Sequence, residues 1–216
     1  MRYLKLPLGM SDFEEIRQNG YYYIDKSGLI LDLLVWKAAK VTLLTRPRRF
    51  GKTLGMSMLA HFFDIEKDSR ALFEGLEISK QKELCAHWMN QYPVIFLTFK
   101  KVDGLNFKSA YEMLEVTIAE FCQSHSFLMK SEKIAKEPKE IFQRLKECKA
   151  SKTELKNSLE LLTRMMQVHY GRTVILLLDE YDVPIAKASS NGYYEEMLEV
   201  MKAMLGSSLK DNPSVK

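Results

Sequence analysis

Five residues of strand character, Val41-Thr-Leu-Leu-Thr45, run through a short loop, Arg46-Pro-Arg-Arg-Phe50, into Gly51-Lys52-Thr53 and an apolar-periodic stretch. Strand, loop and helix in that order constrain the chain more than any other feature. They are the layout of a phosphate-binding loop: backbone N–H groups and a helix N-terminus cradle a polyphosphate, the lysine reaches the β/γ-phosphates, and the threonine hydroxyl ligates Mg²⁺. The usual pattern G-x-x-x-x-G-K-[ST] carries glycine where this chain has Arg46, and Pro47 removes an amide donor. The plain alternative is a basic surface turn ahead of an ordinary helix. Leu54, Met58, Leu59 and Phe62 share one helical face, which favours a buried helix behind the loop.

A second segment narrows the choice. Thr173-Val-Ile-Leu-Leu-Leu178 is a continuous apolar run, as expected of a parallel strand buried on both faces, and it ends in Asp179-Glu180-Tyr181-Asp182. Open α/β sheets bind ligands at the carboxyl ends of their strands, and an aspartate there holds Mg²⁺ in nucleotide hydrolases of this layout. Glu180 is then the candidate base or water-positioner, and Asp179 and Thr53 are the candidate metal ligands. Gly51, Lys52, Leu54 and the amides from Arg48 to Thr53, Phe50 included, are the phosphate contacts. Arg46, Arg48 and Arg49 add charge near the phosphates or point to solvent. Both directions stay open, because arginine is long enough for either.

With these segments in place, Leu6-Pro-Leu-Gly9, Tyr22-Tyr-Ile-Asp25-Lys26, Thr45 to Leu54, Leu72-Phe-Glu-Gly75, Tyr92-Pro-Val-Ile-Phe96, Asp179-Glu-Tyr-Asp182 with Pro184, and Gly192-Tyr-Tyr194 follow in order. Together they resemble the bacterial AAA-ATPase-like proteins that often carry a PD-(D/E)XK-type nuclease domain after the ATPase. The resemblance spans nearly the whole chain, and arginine is usual there at the position of Arg46. It implies an α/β fold: a P-loop NTPase core with a parallel sheet, flanking helices and a helical insertion. It also implies ATP and Mg²⁺ as ligands, and nucleic acid as a partner through a nuclease domain outside this sequence. A homo-oligomer is left open. By analogy with related ATPases, Tyr23, Asp25 and Lys26 line the adenine pocket. Asp182 and Pro184 match the family motif and fix the loop after the strand.

Such a core needs a strand between 41–45 and 174–178 bearing a polar sensor residue. In the resembling family it follows the region of Leu209 to Pro213, so the C-terminal part of the core is expected to be missing from these 216 residues. The expected organisation is one ATPase-like portion over 1–216, lead-in helices over 1–40 and a helical insertion over 100–170. Three function classes follow. A nucleotide-driven switch that binds ATP and has the residues to hydrolyse it leads. A P-loop kinase ranks below it, because a carboxylate immediately after Asp179 suits water activation. The third is a non-catalytic nucleotide-binding or interaction module.

Further expectations are local. Ser11-Asp-Phe-Glu14 reads as a capping box opening a helix to Asn19, and Ser27 as the cap of a helix from Gly28 to about Lys37. A strand is expected over 94–99 with Pro93 at its start. Helices are expected over Ser109–Ser124, over Pro138–Lys149, from the capping box Ser151-Lys-Thr-Glu154 through His169, and over Tyr193–Leu209. Lys130–Lys156 carries nine basic and five acidic residues, interleaved, which reads as a solvated helical face. Met165, Met166, Met197, Met201 and Met204 read as core filler. The formal net charge of +4 permits anionic ligands without arguing for nucleic acid. Cys85, Cys122 and Cys148 have no metal or redox spacing, and no histidine has a second ligand at metal spacing. The N-terminus lacks a signal-peptide core and no apolar run reaches membrane-spanning length, so a cytoplasmic location is expected.

Overall fold

A computed structural model describes residues 4–35, 41–45 and 50–216. The chain forms two compact units, Met1–Val94 and Ile95–Lys216. It is an α/β structure, mostly helical, with a small two-stranded parallel sheet.

In the first unit, α1 spans Phe13–Gln18. The expected box on Ser11 and Glu14 gives way to a cap one residue later: the Asp12 side chain accepts from Glu15 N at 2.8 Å. Aspartate caps as well as serine, and a start at Asp12 turns both Phe13 and Ile16 fully inward. Helix α2 covers Gly28–Val35, and its expected end near Lys37 lies outside the described residues. Ser27 precedes it, but the hydroxyl accepts from Ile78 N at 3.1 Å, so it ties two distant segments together. Helix α3, Lys52–Phe63, buries Met58, Leu59 and Phe62. The Phe62 and Phe13 rings meet Phe73 of α4 (Arg70–Phe73) at 5.3 and 4.9 Å, an aromatic knot that fixes three helices. A further helix, α5, covers Lys82–Trp88.

The strand expected over 41–45 is not formed. These residues are extended or bent without a ladder, and Val41 and Leu43 stand 50 and 60 % exposed. Strand propensity expresses itself only against a partner edge, and none among the described residues bonds to this run.

The second unit opens within β1 (Val94–Thr98), which pairs with β2 (Ile175–Asp179). Phe99 N, one residue past β1, donates at 3.0 Å to the carbonyl of Asp179, the last residue of β2, in keeping with a parallel pair. Compared with the expected 174–178, β2 starts one residue later because Val174 faces the other edge. There it accepts from Lys216 N and donates to Ser214 O, in an isolated parallel bridge with Val215. The segment after Leu209 to Pro213 therefore lies beside β2, on the edge opposite β1.

Helix α6 runs Phe107–Ser124 behind an Asn106–Ser109 capping box. Helix α7 runs Lys136–Lys146, ahead of the expected Pro138 start, with the proline tolerated in its first turn. The helix expected from Ser151 to His169 breaks in two at Asn157, a poor helix former: α8, Lys152–Lys156, and α9, Ser158–Tyr170. The Ser151–Glu154 capping box is present. Helices α10, Val183–Asn191, and α11, Tyr194–Leu209, complete the unit. Its core draws its buried members from Ile95 to Met204 and includes all five methionines read as filler. Charges on 130–156 pair locally, Lys136 with Glu140, Arg144 with Glu154 and Lys149 with Glu147, as a solvated face would. Gly104 sits hard against the start of α6, where an added Cβ would lie 2.4 Å from Ser109 Oγ and 2.5 Å from Ala110 N.

Candidate functional site

Gly51 caps α3 at φ +75°, a left-handed conformation that glycine alone adopts without strain. Gly55 N donates to Gly51 O at 2.9 Å and closes the first turn. The amides of Lys52, Thr53 and Leu54 precede the first helical bond, so they point out of the N-terminus with the positive end of the helix dipole. Lys52, Thr53 and Leu54 are half-buried, and Phe50 is exposed. Arg46, Arg48 and Arg49 lie outside the described residues.

From the Tyr23-Asp25-Lys26 segment, Lys26 reaches the described part of this loop. Its Nζ donates to Phe50 O at 3.1 Å. Asp25 accepts from Ser27 N at 2.8 Å and from Glu77 N at 2.7 Å, one oxygen each. Burial pushes its carboxyl up, but the bonds from Ser27 and Glu77 outweigh that and hold it below the usual range. The Tyr23 ring lies edge-on to Phe13 at 5.4 Å and its hydroxyl donates to Met58 Sδ at 3.3 Å. Burial raises its phenol above the ordinary value.

Lys52 and Thr53 belong to the first unit, Asp179 and Glu180 to the second. Asp179 closes β2 and is only 4 % exposed. Its Oδ2 is buried and has no hydrogen-bond partner among the described residues. A lone carboxylate oxygen away from water is costly, and a hard cation or its water is what such an atom suits. The next residue, Glu180, holds φ at +54°, a conformation uncommon outside glycine. Val183 N donates to its carbonyl and the chain turns at once into α10. Asp182 is the N-cap residue of α10 and its carbonyl accepts from Ala186 N, while Pro184 sits in the first turn.

A model of the family described as predicted AAA-ATPase matches residues 7–216. The chain belongs to this family. An uncharacterized protein from the vnfD 5′ region of Azotobacter chroococcum mcd 1 is 32% identical to it over 182 residues, 84% of this chain. The match covers 30% of that relative, so the chain spans under a third of its length. No solved structure matches. Membership of a predicted AAA-ATPase family implies nucleotide binding, typically with Mg²⁺. Among the described residues, no helix is long and apolar enough to cross a membrane.

In this AAA-ATPase-like chain, two features lay beyond the reach of sequence reasoning. The first is how α10 is anchored: Asn191 Nδ2 and Tyr193 Oη both donate to Gly104 O, at 3.0 and 2.8 Å, and Lys187 pairs with Asp103 at 2.9 Å. The second is an apolar cavity of about 550 Å³ along α10 and α11, lined by Tyr181, Ile185, Tyr194, Leu198, Met201 and Leu205. The Gly192-Tyr-Tyr194 motif was the available signal for both.

Proposed function

We propose that this chain is a P-loop ATPase domain that binds Mg-ATP at the N-terminus of α3 and uses the Asp179-Glu180 turn for metal binding and hydrolysis. The observation that carries the reading is the Oδ2 of Asp179, buried at the end of a parallel strand and without a hydrogen-bond partner among the described residues. Membership of the predicted AAA-ATPase family and the left-handed Gly51 cap support it.

In this reading the amides from Gly51 to Leu54 bind phosphate oxygens and Lys52 offsets their charge. The Thr53 hydroxyl and the Asp179 carboxylate would hold Mg²⁺. When bound, the cation draws negative charge from the phosphate oxygens. Glu180 orients a water and accepts its proton as the water oxygen bonds to the γ-phosphorus and the bond to the β-phosphate oxygen breaks. Lys52 balances the charge that develops on the departing ADP.

Two variants test the assignment. Lys52→Ala is expected to weaken Mg-ATP binding by about 2–5 kcal/mol, the usual cost of unpairing a desolvated charged contact, with unchanged circular dichroism. Glu180→Gln is expected to keep that affinity and lower turnover by roughly 10²–10⁴-fold. Calorimetry and phosphate release read the two effects. Undiminished ATP affinity in a folded Lys52→Ala protein would remove the phosphate-loop assignment.

A further inference from the structure

We propose that Lys26 is a second phosphate-binding cation of the nucleotide site, acting on the polyphosphate and not on the base. The inference rests on the ATP-binding reading above and assigns a role within the same site.

Three observations lead to it. The Lys26 ammonium donates to Phe50 O at 3.1 Å, and it lies 3.1 Å from the point a Cβ on Gly51 would occupy. It therefore stands at the mouth of the α3 N-terminus, where the free amides of Lys52, Thr53 and Leu54 emerge. Gly51 serves twice here, giving the left-handed turn and leaving room for the ammonium.

The second observation is the rigidity of the mount. Asp25 is bonded to Ser27 N and Glu77 N, and Ser27 Oγ to Ile78 N. These bonds fix the backbone on both sides of Lys26 to a segment some fifty residues away in sequence. A side chain whose base is held on two sides reaches one target with little loss of conformational freedom.

The third is charge. Among the described residues no carboxylate comes within ion-pair distance of Lys26, which donates to one neutral carbonyl. An ammonium so placed keeps its field for an anion, and a phosphate oxygen is a stronger acceptor than a peptide carbonyl. The Asp25 and Tyr23 side chains are engaged by the fold, while the Lys26 ammonium is directed to the loop.

The test titrates the full chain with Mg-ATP and with inorganic tripolyphosphate, comparing wild type, Lys26→Gln, Lys26→Arg and Lys52→Ala. The glutamine amide keeps an N–H donor for the Phe50 carbonyl and removes only the charge. Lys26→Gln is expected to weaken both ligands by the same factor, about ten- to a hundredfold for a hydrogen bond to a charged group. Lys26→Arg is expected to recover most of the loss, and melting without ligand to be equal in all three Lys26 proteins. A loss for ATP with tripolyphosphate unaffected would place Lys26 on the nucleoside side and overturn the inference. Full affinity for both ligands in Lys26→Gln, with Lys52→Ala impaired, would make Lys26 a loop brace and overturn it alone. Wild type binding neither ligand would overturn the ATP-binding reading and this one with it.

Discussion

Glu180 follows a buried carboxylate and holds a backbone conformation that costs a non-glycine residue about 1 kcal/mol. Strain of this kind persists where the surroundings impose it, and it gathers at functional turns. Glu180→Gly is therefore expected to leave unfolding stability unchanged or raise it by up to about 1 kcal/mol, because relief of strain offsets the extra freedom of the unfolded chain. Turnover should be lost at the same time. Urea denaturation beside phosphate release reads both. A clear loss of stability would mean that the Glu180 side chain braces the fold. The cysteines differ from one another in the same local way. Burial pushes the Cys122 thiol up to about 12, whereas Cys148 is exposed. At pH 8 iodoacetamide should modify Cys148 well before Cys122, because the thiolate is the reacting form; mass spectrometry of the peptides shows the order.

Among the elements, α8 rests most plainly on its cap. Ser151 Oγ accepts from Glu154 N and the Glu154 carboxylate accepts in turn from Ser151 N, while Arg144 Nε donates to the same carboxylate at 3.1 Å. Ser151→Ala should cost about 1 kcal/mol in urea unfolding. The Arg144 guanidinium and the Ser151 amide hold the Glu154 carboxyl at about 2, against an ordinary 4.5. A depressed carboxylate stabilises the fold above its unfolded value, and that contribution fades as pH falls from about 4.5 through about 2. The advantage of wild type over Glu154→Gln should therefore be full at pH 6 and shrink steadily below pH 4.5. A constant difference would show that Glu154 acts through packing alone.

This cap was legible in four residues because its partners are local. So were Gly51-Lys52-Thr53 at a helix start and Asp179 at a strand end, since loop glycine and apolar run both state their geometry in sequence. The cap of α1 moved by one because Ser11 and Asp12 are equally good cap residues, and burial of Phe13 and Ile16 chooses between them. Helix α10 went unread although its Asp182, Pro184 and Gly192 are ordinary boundary signals. The place of Lys26 had no local signal, because it depends on Asp25 meeting Glu77.

At the scale of the molecule, the buried core of the second unit begins at Ile95 and contains β1, β2 and the helices from α6 onward. Residues 93–216 should accordingly fold alone, with helical circular dichroism and one cooperative thermal transition. A broad transition with exposed apolar surface would show that this core is incomplete without the first unit. The run 41–45 was misread at this same scale: its apolar pattern is real, but a strand is a property of two segments, and the pattern of one does not supply the other.

The tight seat of Gly104 reaches into how relatives of this chain will be interpreted. A side chain there would strike Ser109 and Ala110, and the Gly104 carbonyl anchors Asn191 and Tyr193. In an alignment or a saturation-mutagenesis map the position should tolerate no replacement, and Tyr193 should vary with it. Such invariance is commonly taken as the mark of a reacting group. Here it would report steric exclusion at a joint, so ranking positions by intolerance alone would promote a glycine with no chemistry to the company of Lys52.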